Sequence, residues 1–168
     1  MPDDPFSTLG LPPSFEINPA ALQRAYLARS AAVHPDHADD PAALELSAAI
    51  NRARQTLEDP ESRADALLAR LGGPSKEADR SLPPGFLPEI MDIRQQLEEA
   101  AGSGDAAATA RLEDWAAARR TQSIADVREL FRGLGAPPDP AALKSIRTAL
   151  NAWRYIERML EQVRAGEE

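Results

Sequence analysis

The chain has 168 residues, enough for one or two small domains, and its 43% hydrophobic and 27% charged content supports a packed core along most of its length. A formal net charge of −8 speaks against nucleic-acid binding through a broad basic surface, because neutralising phosphates takes clustered Lys and Arg. With no Cys, and with His34 and His37 as its two His, the chain excludes disulfides, thiolate catalysis, zinc fingers and His-rich metal cages.

Prolines and glycines mark the elements in chain order. Asp4-Pro5, Asn18-Pro19, Asp40-Pro41, Asp59-Pro60 and Asp139-Pro140 each read as a helix start. The Asx side chain accepts from an orphan N–H of the first turn, and proline at the first helical position has no N–H to satisfy. Glycines fall near the opposite ends, at Gly72-Gly73, Gly102, Gly104, Gly133 and Gly135. These marks predict a short helix at 5–10, helices at 19–33, 41–58 and 61–71, and three longer ones at 84–101, 105–133 and 139–165. No stretch alternates apolar and polar residues with β-branched enrichment, so no strand is predicted and the fold class is all-α.

Gly, Pro and polar residues cluster at 72–83, as expected of a linker. The predicted organisation is a compact N-terminal domain over 1–73, a linker over 74–83, and a three-helix bundle over 84–168. Short Gly/Pro turns make those three helices antiparallel neighbours. The acidic start lacks a basic and then apolar leader, and no run of about 18 apolar residues exists. The expectation is a cytoplasmic protein with no membrane segment.

The sharpest local signal is His34-Pro35-Asp36, between the helices predicted at 19–33 and 41–58; composition alone would produce this tripeptide only about 0.014 times in such a chain. Proline fixes the backbone there, and the flanking His and Asp offer polar groups to a partner. A plain helix stop followed by an Asx turn uses the same residues. So would a metal pair of His34 and His37 with Asp36, though no further ligand stands nearby in sequence.

Together with Asp4-Pro5-Phe6, Leu9-Gly10-Leu11, Tyr26, and Ile50-Asn51 through Asp59-Pro60, the tripeptide makes this segment resemble a J domain, the module that acts on seventy-kilodalton heat-shock chaperones. The resemblance implies that His34, Pro35 and Asp36 stimulate ATP hydrolysis by the partner. It also implies that the preceding helix, here with Arg24 and Arg29, meets an acidic chaperone surface. The basic face is thin. Leu27, Ala28, Ala31 and Ala32 stand where J domains often carry Lys or Arg, and Arg29 stands where many have an apolar residue. The residue-level alternative for both arginines is a solvated helix face.

In the second half, Phe86, Ile90, Ile93, Leu97 and Ala100 form one helical stripe, with Leu87 and Met91 off its centre. In the last helix Ile146, Leu150, Trp153, Leu160 and Val163 form a stripe, and Tyr155 falls nearly opposite. Apolar residues off a core stripe either pack on a neighbour or form a contact surface.

Arg63-Ala64 with Leu67-Leu68, then Phe86-Leu87, Ile93-Arg94 and Leu97, make nearly the whole chain resemble the HscB co-chaperones of iron–sulfur cluster assembly. That resemblance implies two partners, an HscA/DnaK-type ATPase chaperone and an IscU-type scaffold. The scaffold would sit on a patch of Leu87, Met91 and Tyr155 with Asp92 as its acidic neighbour. Pro88 and Gln95 depart from the family's apolar and acidic preferences. The resemblance implies no cofactor. Scattered carboxylates, the lack of a Gly-rich phosphate loop and adjacent His residues speak against an enzyme. The remaining alternatives are a J-domain protein with another client and a non-catalytic helical adaptor.

Overall fold

The computed structural model describes residues 4–33 and 41–165. Its elements are seven helices, and the described residues contain no strand: α1 (Pro5–Leu9), α2 (Pro19–Ala32), α3 (Pro41–Glu58), α4 (Pro60–Arg70), α5 (Phe86–Ser103), α6 (Ala106–Arg132) and α7 (Pro140–Ala165). The expected helices are all present, with ends within about two residues, the usual uncertainty of frayed termini.

The caps explain this agreement. Asp4 accepts from the Phe6 N–H at 3.2 Å, Asn18 from Ala20 at 2.9 Å, Asp59 from Ser62 at 2.7 Å and Asp139 from Ala141 at 3.2 Å. Asp105, with no proline after it, caps α6 by accepting from Ala108 at 2.9 Å. Asp40 lies outside the described residues.

The chain divides into two compact units, Met1–Gly72 and Gly73–Glu168. In the first, α2 and α3 form a helical hairpin, and α1 and α4 pack against α3. Phe6, Leu9, Phe15, Leu22, Ile50, Ala53, Leu57, Ala64, Leu67 and Leu68 form its core. Polar contacts supplement that core. The Tyr26 hydroxyl donates to Asn51 Oδ1 at 3.0 Å, linking α2 to α3, and the Arg54 guanidinium lies 4.5 Å from the Tyr26 ring centre. Arg70 pairs with the Asp4 carboxylate that caps α1. Arg63 Nη1 donates to the Leu57 carbonyl at 2.8 Å, and its guanidinium lies over Phe15.

In the second unit α5, α6 and α7 bury a long apolar seam. One part holds Phe86, Ile90, Ala116, Ala152, Ile156, Met159 and Leu160, flanked by Leu82, Ile93, Leu97 and Trp115. Val127, Leu143, Ile146, Leu150 and Trp153 extend it. The indole N–H of Trp153 donates to Glu157 Oε1 at 2.7 Å, and the same oxygen accepts from Arg120 Nε at 2.6 Å. The buried ring thus keeps its polar edge satisfied.

The segment expected as a linker is strapped down within this unit. Arg147, buried on α7, donates through Nε to the Pro74 carbonyl at 2.9 Å. One turn on, Asn151 donates to the carbonyls of Asp79 and Ser81, both at 3.0 Å. Hydrogen bonds from the Ser81 side chain and backbone hold the Asp79 carboxyl below its ordinary pKa. Composition made 74–83 look unstructured because the groups that hold it lie about seventy residues further along the chain.

Candidate functional site

The described residues among those singled out from sequence are divided between the two units. In the first unit, the buried position of α2 is Leu22. Seven residues on, Arg29 lies about 20° from the same helical direction. Its guanidinium reaches Gly10, the left-handed residue that ends α1 at φ 68°. A Cβ added at Gly10 would stand 2.8 Å from Arg29 Nη2, a side-chain tip that can move aside, so it is the positive φ that favours glycine here. Arg29 therefore spans towards α1.

Arg24 points to the other side of α2, with Ala20, Leu27, Ala28 and Ala31, and all five are exposed. The two arginines, alike in the sequence, occupy opposite flanks of one helix. His34, Pro35 and Asp36 lie outside the described residues, as does His37. Among the described residues, no group of three His, Asp or Glu side chains could hold a metal ion.

In the second unit, Leu87 and Met91 stand one turn apart on α5 and are 47% and 64% exposed. Tyr155 on α7 is 38% exposed, and its ring meets buried Phe86 edge-on with centroids 6.0 Å apart. Phe86 is thus the anchor that brings Tyr155 to the first turn of α5, beside its chain neighbour Leu87. Edge-to-face packing at this distance is a favourable aromatic contact, and the tyrosine keeps part of its surface exposed. Asp92, next to Met91, is exposed. These three are the large apolar side chains that the second unit exposes among the described residues.

Two family models match the chain, a DnaJ domain over residues 4–65 and an HSCB C-terminal oligomerisation domain over residues 82–164. The co-chaperone protein HscB homolog of Ralstonia nicotianae is 36% identical over 94% of this chain and 90% of its own length. That of Bordetella petrii is 33% identical over 98% of this chain and 96% of its own.

The chain belongs to the HscB co-chaperone family.

Solved members of the family share the whole architecture. The chaperone HscB from Vibrio cholerae superposes with a TM-score of 0.77 at 25% identity, covering 97% of this chain and 96% of that one. The human co-chaperone HscB gives 0.81 at 25% identity, covering 97% of this chain and 81% of that one. The fold is all-helical, a J domain followed by an HscB C-terminal domain, and the J domain implies an Hsp70-type chaperone partner. No helix among the described residues is long and apolar enough to cross a membrane.

Sequence reasoning did not single out Leu44 and Leu46, two exposed leucines of α3, nor Arg147 and Asn151. The leucines sit two apart and show no single-face pattern. The α7 pair acts through backbone carbonyls distant in sequence, for which no spacing rule exists.

Proposed function

We propose that this chain is a two-handed adaptor that stimulates the ATPase of an HscA/DnaK-type chaperone and delivers an IscU-type iron–sulfur scaffold to it. The observation that carries the reading is the exposed trio of Leu87, Met91 and Tyr155, which stands on the unit that does not contain the J domain. A protein that meets two partners at once needs two surfaces that do not compete. Exposed apolar groups around an anchored aromatic are the kind of surface a protein partner covers.

In this reading His34, Pro35 and Asp36, with Arg24 and Arg29 on α2, engage the ATP-bound chaperone, while Leu87, Met91, Asp92 and Tyr155 hold the scaffold. Neither surface performs covalent chemistry. Tethering raises the scaffold's effective concentration at the chaperone, to a millimolar order for a short connection, and so couples client delivery to hydrolysis. The placement is cytoplasmic, with the domains taken as 1–73 and 84–168, the connecting segment 74–83 being held against the second of them, and with no cofactor, membrane or nucleic acid involved.

The test is single-turnover ATP hydrolysis by the cognate chaperone, with wild type, His34→Gln and Tyr155→Ala, each with and without scaffold. Wild type is expected to stimulate, and more strongly with scaffold. His34→Gln should lose stimulation. Tyr155→Ala should lose only the scaffold-dependent increment, and should weaken scaffold binding roughly tenfold or more if Tyr155 is a central contact. Stimulation that ignores scaffold would assign another client. Absence of stimulation would leave a helical adaptor whose tripeptide is a turn. Equal loss of both activities in Tyr155→Ala would overturn the division into two surfaces.

A further inference from the structure

We propose that Asn151 is a positioning residue for scaffold binding: by holding the chain at Asp79 and Ser81 it fixes the first turn of α5, and so sets Leu87 beside Tyr155. The inference rests on the scaffold-binding reading of Leu87, Met91 and Tyr155, and adds what keeps the two halves of that surface in register.

The need for such a residue lies at the start of α5. Helices α1, α2, α4 and α6 each open on an Asp or Asn whose side chain accepts from a first-turn N–H. Helix α5 opens on Gly85, left-handed at φ 78°, and has no side-chain cap. The bond from the Glu89 N–H to the Gly85 carbonyl is long, at 3.4 Å. The ion pair of Glu89 with Arg119 adds little, because both side chains are well exposed. An uncapped first turn frays unless groups outside the helix hold it. Leu87 sits in that turn, so its place depends on what precedes Phe86 and on what Phe86 packs against.

Both supports come from one stripe of α7. Asn151 and Tyr155 are four residues apart, hence one turn apart on the same face. Tyr155 meets Phe86 edge-on, with centroids 6.0 Å apart. Asn151 donates to the carbonyls of Asp79 and Ser81, each at 3.0 Å. Beyond Ser81 the chain has little freedom before α5. The Ser81 N–H donates to Asp79 Oδ1 at 2.9 Å, and Leu82 packs on the apolar seam. Pro83 and Pro84 have fixed φ, and the Pro83 carbonyl accepts from the Phe86 N–H at 3.1 Å. Asn151 therefore holds the entry to α5 through a short stiff segment, while Tyr155 meets the first residue of the helix. Arg147, one turn before Asn151, bonds to Pro74 and so fastens the far end of the same segment.

This arrangement separates stability from affinity. Arg147 is buried, whereas Asn151 is half-buried but holds the end nearer Leu87. Without the Asn151 bonds, the first turn of α5 is in place for only part of the time. Apparent affinity for scaffold then falls by that fraction, while the bound complex acts as before.

The experiment titrates scaffold into full-length wild type, Asn151→Asp, Asn151→Ala, Arg147→Ala and Tyr155→Ala by calorimetry. Urea unfolding gives the stability of each, and chaperone ATPase is measured without scaffold and at saturating scaffold. Asn151→Asp keeps the side chain's shape and removes its donor, and Asn151→Ala controls for the added charge. Both are expected to raise the Kd roughly threefold to tenfold, as the loss of one or two neutral hydrogen bonds allows. Stimulation without scaffold, and the increment at saturating scaffold, should stay at wild-type values. Arg147→Ala should lose more stability than either Asn151 variant and yet move the Kd less.

An unchanged Kd in both Asn151 variants would overturn the proposal. So would a loss of affinity that follows loss of stability, with Arg147→Ala the weakest binder, since that is the order a purely structural role gives. Both outcomes leave the scaffold-binding reading standing as long as Tyr155→Ala binds weakly. No binding by wild type, or binding indifferent to Tyr155→Ala, would overturn that reading and the proposal with it.

Discussion

The two units leave similar numbers of large apolar side chains exposed but build their interiors differently. In the first, α2 buries Leu22 alone among its residues, and its outward side is alanine-rich. What holds α2 to α3 includes polar and π contacts, Tyr26 to Asn51 and Arg54 over Tyr26, at the surface of the hairpin. In the second, the three long helices share a continuous apolar seam with Trp153, Ile146, Leu150 and Ile156 fully buried. A helix held by one leucine and a few polar contacts gains little from its own patterning, so its outer face is free to serve a partner. A helix that supplies a large part of a core has few positions to spare, and the second unit accordingly presents its exposed trio at the edge of the seam, around Phe86.

Removing the seam's centre breaks this contrast most severely. Trp153→Ala deletes a fully buried ring and its hydrogen bond to Glu157, and is expected to cost about 3–5 kcal/mol. Urea unfolding followed by circular dichroism should then separate into two transitions, with the first unit melting near its original midpoint. A single shifted transition would show that the units unfold together.

Arg147→Ala addresses the strap. It removes the buried guanidinium that donates to the Pro74 carbonyl, with an expected loss of about 1–3 kcal/mol from the second unit, because a part-buried hydrogen bond from a charged donor is lost. Hydrogen exchange should rise across residues 74–82 ahead of the helical seam. Unchanged exchange there would mean that Asn151 suffices to hold the segment.

The smallest expected effect belongs to the first unit. Tyr26→Phe deletes one exposed hydroxyl donor to Asn51 and keeps the ring under Arg54, so the loss should be about 0.5–1 kcal/mol. A thermal melt of the first unit unchanged by this substitution would show that the Tyr26 hydroxyl adds nothing to the hairpin's stability.

The division between what could be read in advance and what could not follows the range of the interactions. Helix starts were legible because an Asx cap and the proline after it act within three residues, and Asp4, Asn18, Asp59 and Asp139 all cap as that chemistry requires. Helical phase told Leu87 and Met91 from the stripe of Phe86 and Ile90, and the pairs are exposed and buried accordingly. Phase also held a clue to Arg29, seven residues from Leu22. It became decisive only with Leu22 buried and Gly10 brought underneath, contacts that span nearly twenty residues of chain.

Composition and local pattern thus determined by themselves an all-helical chain and the ends of its helices. The tertiary structure decided that Arg29, exposed like Arg24, reaches Gly10, that Tyr155 meets Phe86 edge-on, and that residues 74–81 are fastened by Arg147 and Asn151. Each of these joins groups far apart in sequence. Caps and helical faces act over one or two turns and leave a mark in residue spacing, whereas a hydrogen bond across some seventy residues depends on where the whole chain has already folded.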